Sequence, residues 1–172
     1  GRRSRGESIQ NHMAGKAVVP PVEWLAKIKA ALDARDDPDF VIMARTDALA
    51  VNGIDDAIAR AQLACDAGAD LLFVEAPTTT GQMRRICAEI PGPCLANNVE
   101  TGLSPLVPAA ELQAIGYAAV VFPVAATYAV AHTLADLFAT IKRTGSTAEF
   151  LPRLLEFNAF NNLVGLAEQR QR

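Results

Sequence analysis

The chain has 172 residues, of which 51% are hydrophobic and 20% are charged, as in an ordinary globular protein. Sixteen Lys and Arg residues against 19 Asp and Glu residues give a net charge of −3, which argues against a nucleic acid or an anionic membrane as partner. The mean hydropathy is +0.16, and no apolar run reaches the roughly 18 residues that a membrane span needs. These properties favour small-molecule chemistry.

The cysteines and the first residues bear on the compartment. Cys65, Cys87 and Cys94 are odd in number, widely spaced and form no CxxC pair, so a disulfide framework and a zinc site are not expected. This cysteine usage favours a reducing, cytoplasmic location. Residues 1–11 carry three arginines but no apolar run, so we interpret them as a flexible arm or the start of a larger protein, not as a signal peptide.

Helical patterns then alternate with short apolar runs. Helices are predicted over 21–35, 54–67, 79–89, 108–115, 125–144 and 148–169. Strands are predicted over 40–44, 71–74, 93–96 and 118–122. Such alternation indicates an α/β protein with parallel strands joined by right-handed crossovers. A small open doubly wound sheet and part of a (β/α)8 barrel both fit, but the first strand lacks the Gly-rich phosphate loop that an open nucleotide-binding sheet favours.

Polar side chains follow three of the predicted strands. Arg45 and Asp47 follow the first, Glu75 the second and Asn97 the third. In both architectures ligands bind where parallel strands end. The planar guanidinium of Arg45 suits a carboxylate or phosphate, and Glu75 suits acid–base chemistry or a metal-bound water. Asn97 can donate to an oxyanion, so we predict a pocket for an anionic substrate with developing enolate charge.

Simpler interpretations stay open for the same side chains. Arg45 and Glu75 are also suited to a plain ion pair between adjacent strands. Asp47 is predicted to cap the turn that follows it. Asn98 and Glu100 are predicted to be solvated loop residues.

Four segments carry a resemblance to a known family. They are residues 40–48, 67–76, 95–100 and 120–123. Their sequences resemble strands of the isocitrate lyase/phosphoenolpyruvate mutase superfamily, with methylisocitrate lyases and carboxyphosphonoenolpyruvate mutase-like enzymes nearest. The order and spacing of the motifs agree over roughly residues 12–165.

The resemblance implies a Mg²⁺-dependent (β/α)8 TIM barrel that acts on 2-oxo or 2-hydroxy carboxylates through an enolpyruvate-like intermediate. It implies that Arg45 is catalytic, binding a substrate carboxylate and stabilising the enolate oxygen. Glu75, Asn97 and His12 are implied to bind substrate. His12 belongs to a stretch similar to the family's mobile loop, in which Gln10 stands where the lyases have a proton-donating cysteine.

The resemblance also implies that the chain holds only part of the barrel. Residues 12–147 correspond to the last four β/α units, and residues 148–172 to a C-terminal helix that family members exchange between subunits. The metal-binding aspartates belong to the family's first four units, so we expect no metal ligand in this chain. The expected partners are a di- or tricarboxylate substrate and either further copies of the chain or the other half of the barrel.

Three hypotheses follow from this organisation. The first is a carbon–carbon lyase or decarboxylase, completed by a half that the chain does not contain. The second is a non-catalytic remnant that folds only by association. The third is a half-barrel that pairs with a second copy. Four strands cannot close an eight-stranded barrel, so each hypothesis requires a partner for the exposed strand edges.

Overall fold

A computed structural model describes residues 16–166 of the chain. Internal contacts divide the chain into two compact units, one ending at Ala125 and the other beginning at Ala126. None of the described helices is long and apolar enough to cross a membrane.

The first unit alternates helices and strands as predicted. Its elements are α1 (Pro21–Asp33), β1 (Met43–Thr46), α2 (Leu49–Asn52), α3 (Ile54–Asp66), β2 (Leu71–Val74), α4 (Thr80–Glu89), β3 (Leu95–Asn97), α5 (Ala109–Ile115) and β4 (Ala119–Val121). Proline occupies the first position of α1, where its missing N–H costs no helical hydrogen bond. Gly116 follows α5 with φ +120°, a conformation that side-chain-bearing residues rarely adopt. The short helix α2 was not predicted.

The first strand is shifted relative to its prediction. The apolar run predicted residues 40–44, but the strand covers Met43–Thr46, and Phe40 and Val41 are 63% and 60% exposed. The Ile42 amide donates to the Asp70 carboxylate at 2.8 Å. The ladder with β2 begins one residue later, so the strand includes Arg45 and Thr46. The prediction of a strand buried over residues 40–44 is therefore wrong at its start.

The strands are parallel and lie in chain order. β1 pairs with β2, and β3 pairs with β4. A parallel bridge between Leu72 and Cys94 connects the two pairs. Parallel neighbours joined through helices agree with the predicted α/β class.

The two faces of these strands differ in their cover. Ala44, Leu72, Val74 and Ala96 belong to the core that also contains residues of α1, α3, α4 and α5. Because side chains alternate along a strand, their neighbours point to the opposite face. On that face Phe73 is buried, but Met43 in β1 and Val121 in β4 are 43% and 40% exposed. On this second face, the outer strands β1 and β4 are therefore more exposed than the inner strand β2.

The second unit is helical. It includes most of α6 (Ala125–Thr144), a 3₁₀ helix (Ala148–Arg153) and α7 (Phe157–Leu163). The single helix predicted from residue 148 is wrong over the described residues, because Pro152 lacks the amide that a continuous α-helix needs. Several large apolar side chains are exposed, including Phe157 at 78% and Leu163 at 73%.

Candidate functional site

Arg45 is held by two carboxylates where β1 and β2 end. Its Nε donates to Asp47 Oδ1 at 3.1 Å, and its Nη2 lies 3.1 Å from Glu75 Oε2. The side chains of Asp47 and Glu75 are only 1% and 7% exposed, whereas that of Arg45 is 21% exposed. The ion pair between adjacent strands is therefore present. It places a partly accessible guanidinium at the strand ends, where α/β proteins bind ligands.

Neighbouring aromatic residues fix the position of Arg45. The indole of Trp24, on α1, is buried and donates to the Arg45 carbonyl oxygen at 3.0 Å. The guanidinium carbon of Arg45 lies 4.9 Å from the centroid of the Phe73 ring, in cation–π range. Backbone and side chain are therefore both restrained.

Asp47 does not cap the turn after β1, so that prediction is wrong. Thr46 Oγ1 instead accepts from the Ala48 amide at 3.2 Å. The Asp47 carboxylate lies between two cations, because its Oδ2 is 3.1 Å from Lys16 Nζ. Lys16 was not identified from the sequence, since nothing local to it signals a partner 31 residues further along.

Asn98 is also buried, contrary to the prediction of a solvated residue. It is only 4% exposed. Its Nδ2 donates to the Val107 carbonyl oxygen at 2.8 Å, and its Oδ1 accepts from the Val107 amide at 3.3 Å. These two bonds close the loop between β3 and α5 across its base.

The same loop carries Glu100 and follows Asn97. Leu72 and Cys94 form a parallel bridge between neighbouring strands. If this register continues for three residues, Asn97 lies opposite Glu75. Asn97 Oδ1 and Glu100 Oε2 are buried and have no hydrogen-bond partner among residues 16–166. Buried acceptors of this kind usually find a donor, so they are suited to a ligand. Thr101, next to Glu100, has φ +62°, a strained conformation for a β-branched residue.

The structure pairs two of the four predicted site residues, Arg45 and Glu75, and the third, Asn97, ends the neighbouring strand β3. The fourth, His12, lies outside the described residues. No group of three or more metal-ligating side chains occurs in residues 16–166. The buried carboxylates of Asp47 and Glu75 each lie 3.1 Å from a cationic side chain, Lys16 and Arg45 respectively.

A cavity in the described region lies away from these strand ends. It has a volume of about 470 Å³ and is lined by residues of α5, β4 and the segment between them. Gln113 and Tyr117 are among its lining residues, but none is charged. An uncharged cavity does not suit an anionic substrate, so we base the site on the strand ends.

Comparison with known proteins places the chain in a family. The sequence profile described as phosphoenolpyruvate phosphomutase matches residues 6–142. The 2,3-dimethylmalate lyase of Eubacterium barkeri is 43% identical over 160 residues, which cover 93% of this chain and 55% of that protein. The chain thus spans about half the length of this curated relative.

Solved structures agree with this result. A trigonal crystal form of 2,3-dimethylmalate lyase, a PEP mutase/isocitrate lyase superfamily member, matches with a TM-score of 0.84 and 32% identity. The match covers 94% of this chain and 54% of that one. A phosphonopyruvate hydrolase in complex with oxalate and Mg²⁺ matches with a TM-score of 0.77 and 27% identity, over 94% of this chain and 59% of that one.

Proposed function

Because this chain belongs to the phosphoenolpyruvate phosphomutase family, we propose that it supplies one half of a (β/α)8 barrel lyase. The reaction is C–C cleavage or decarboxylation of a 2-hydroxy or 2-oxo carboxylate through an enolpyruvate-like intermediate. The observation that carries this proposal is the position of Arg45, held by two buried carboxylates where parallel strands end.

The strand pairing and the exposed apolar side chains of the outer strands support the half-barrel organisation. β1 and β4 each have a single strand partner among the described residues, and Met43 and Val121 expose apolar surface on the second face. Four further β/α units would pair with both outer strands and cover that face. In this proposal residues 12–147 form the C-terminal half of the barrel, and the rest of the full-length protein or another chain supplies the other half.

Each site residue has a different proposed role, which follows from the chemistry of its side chain. Arg45 binds a substrate carboxylate and stabilises the negative charge on the enolate oxygen. Glu75 orients Arg45 and lines the pocket. Asn97 lines the same pocket, and its Oδ1, which has no hydrogen-bond partner within residues 16–166, accepts from a substrate donor. We extend the proposal to His12 on the basis of its sequence motif.

Mg²⁺ is part of this proposal, although residues 16–166 contain no group of three or more His, Cys, Asp or Glu side chains that could hold it. The support is indirect: the related phosphonopyruvate hydrolase was crystallised with oxalate and Mg²⁺. We propose that the ligands of the ion belong to the other half of the barrel.

The assembly and location follow from two further features. The exposed aromatic and aliphatic side chains of α7 suit a subunit contact, so we propose that residues 148–172 exchange between subunits of a homo-oligomer. The free thiols of Cys65, Cys87 and Cys94 are compatible with the reducing cytoplasm, which we propose as the location.

A substrate panel tests the proposed reaction. The full-length protein is incubated with 2,3-dimethylmalate, 2-methylisocitrate and oxaloacetate, with Mg²⁺ or with a chelator, and products are followed by NMR. We expect cleavage of at least one substrate, only with Mg²⁺. Folded protein that cleaves none of them would contradict the lyase proposal and favour the non-catalytic remnant. Equal turnover by residues 1–172 alone would contradict the need for another half.

A further inference from the structure

The buried Asp47 carboxylate has no part in the chemistry proposed above. It is only 1% exposed, yet it contacts two cationic side chains, Arg45 through Oδ1 and Lys16 through Oδ2. Burying a carboxylate is strongly unfavourable unless its charge is compensated. A structural role in the turn does not account for it, because Thr46 makes the local turn bond.

We propose that Asp47 and Lys16 are positioning residues for Arg45, which makes this inference dependent on the proposed role of Arg45 in binding a carboxylate. Asp47 holds Arg45 at Nε, while Glu75 contacts Nη2. Two carboxylates acting on different nitrogens restrain rotation of the guanidinium plane, which a single partner does not. The plane is then fixed before a substrate arrives.

Lys16 balances the charge of this arrangement. Among residues 16–166, Lys16 and Arg45 carry two positive charges in this arrangement, and Asp47 and Glu75 carry two negative charges. Removing the Lys16 ammonium leaves Asp47 with an excess of negative charge in a buried position, so Asp47 competes more strongly with Glu75 for the guanidinium. If the Asp47 charge is removed instead, the attraction at Nε is lost, and the Arg45 guanidinium moves toward Glu75. Either change displaces Arg45, and removing both charges restores the balance.

The size of the effect follows from geometry. A displacement of about 1 Å in a binding group costs on the order of 10²-fold in reactivity. Asp47 and Lys16 therefore affect catalysis through Arg45, without contacting the substrate themselves. The double variant Lys16→Met/Asp47→Asn is expected to lose less than the product of the two single losses.

The test uses the full-length protein with Asp47→Asn, Lys16→Met, Lys16→Arg and the double variant. Asp56→Asn is the matched control, because Asp56 also pairs with an arginine, Arg60, at 2.8 Å but on α3. The first readout is the ¹⁵N NMR signal of the Arg45 Nε–H group, identified by its loss in Arg45→Lys. The others are the dissociation constant of oxalate and the separate values of kcat and KM.

We expect Asp47→Asn to shift the Arg45 Nε signal, speed its hydrogen exchange and weaken oxalate binding at least about tenfold. Lys16→Met should act in the same direction, and Lys16→Arg should keep oxalate binding within about threefold of wild type. Asp56→Asn should change none of these readouts.

An unchanged Nε signal in both Asp47→Asn and Lys16→Met would overturn the inference. If Asp47→Asn does not fold, the comparison of Lys16→Met with Lys16→Arg still tests the inference. If the wild type neither binds oxalate nor turns over a substrate, the proposed function fails, while the NMR signal still tests the positioning.

Discussion

The side chain of Asn98 bonds both backbone polar groups of Val107, nine residues further along the chain. The clamp is buried, since Asn98 is 4% and Val107 5% exposed. It closes a loop that begins beside Asn97 and includes Glu100, whose Oε2 has no hydrogen-bond partner among residues 16–166. The path of the loop next to the candidate site therefore depends on one amide side chain.

Asn98→Ala should destabilise the protein because it leaves a buried amide and a buried carbonyl of Val107 unsatisfied. We expect a loss of about 1–3 kcal/mol in the free energy of unfolding, measured by urea denaturation. Asn52→Ala is the control, since the Asn52 bond to Asp56 is exposed. Equal, small losses in the two variants would show that the clamp contributes nothing.

Leu72→Ala tests the packing between the strands and the helices. Leu72 is fully buried in β2, so its truncation should leave a cavity and cost about 2–5 kcal/mol. Leu63→Ala, at a position on α3 that is 41% exposed, should cost less than about 1 kcal/mol. Denaturation curves of the two variants measure the difference. A smaller loss for Leu72→Ala than for Leu63→Ala would place the core elsewhere.

Asp70 should make stability depend on pH. The Ile42 amide hydrogen bond and the nearby Arg35 lower the pKa of the Asp70 carboxyl below its ordinary value of about 3.9. A carboxyl with a lower pKa in the folded state stabilises the fold above the unfolded-state pKa. This contribution is lost as the pH falls through the folded-state pKa.

Asp70→Asn should therefore lower the melting temperature at pH 7, and the difference from wild type should shrink toward pH 3. Melting curves between pH 3 and pH 7 measure this convergence. Glu23→Gln provides the control, since Glu23 pairs with Lys27 on the surface of α1. A difference between Asp70→Asn and wild type that stays constant across this range would contradict the linkage.

The sequence predicted the fold and the site to different depths. The apolar run of β2 has polar neighbours on both sides, and its prediction over 71–74 was correct. β1 was misplaced because its last residues, Arg45 and Thr46, are polar yet belong to the strand. Apolar runs alone do not reveal such an end.

The candidate site was likewise predicted only in part. Arg45, Glu75 and Asn97 were identifiable because each directly follows or ends a strand pattern. The ion pair of Asp47 with Lys16 and the hydrogen bonds of Asn98 to Val107 were missed because they depend on partners elsewhere in the chain. Those partners, Lys16 and the backbone of Val107, carry no local signal. Tertiary contacts, which a single sequence does not display, determine both roles.

Arg45→Lys in the full-length protein tests the central claim most directly. Lysine keeps the positive charge between Asp47 and Glu75 but lacks the planar fork that binds a carboxylate through two nitrogens. Arg60→Lys is the control, because Arg60 also pairs with a carboxylate but lies on α3, where it is buried and bonded to Asp56 and the Val19 carbonyl oxygen. The measurement is kcat/KM on the substrate identified in the panel, together with the dissociation constant of oxalate. Our account predicts a loss of about 10²-fold in kcat/KM and weaker oxalate binding in Arg45→Lys only. Wild-type values of both quantities in a folded Arg45→Lys protein would contradict it.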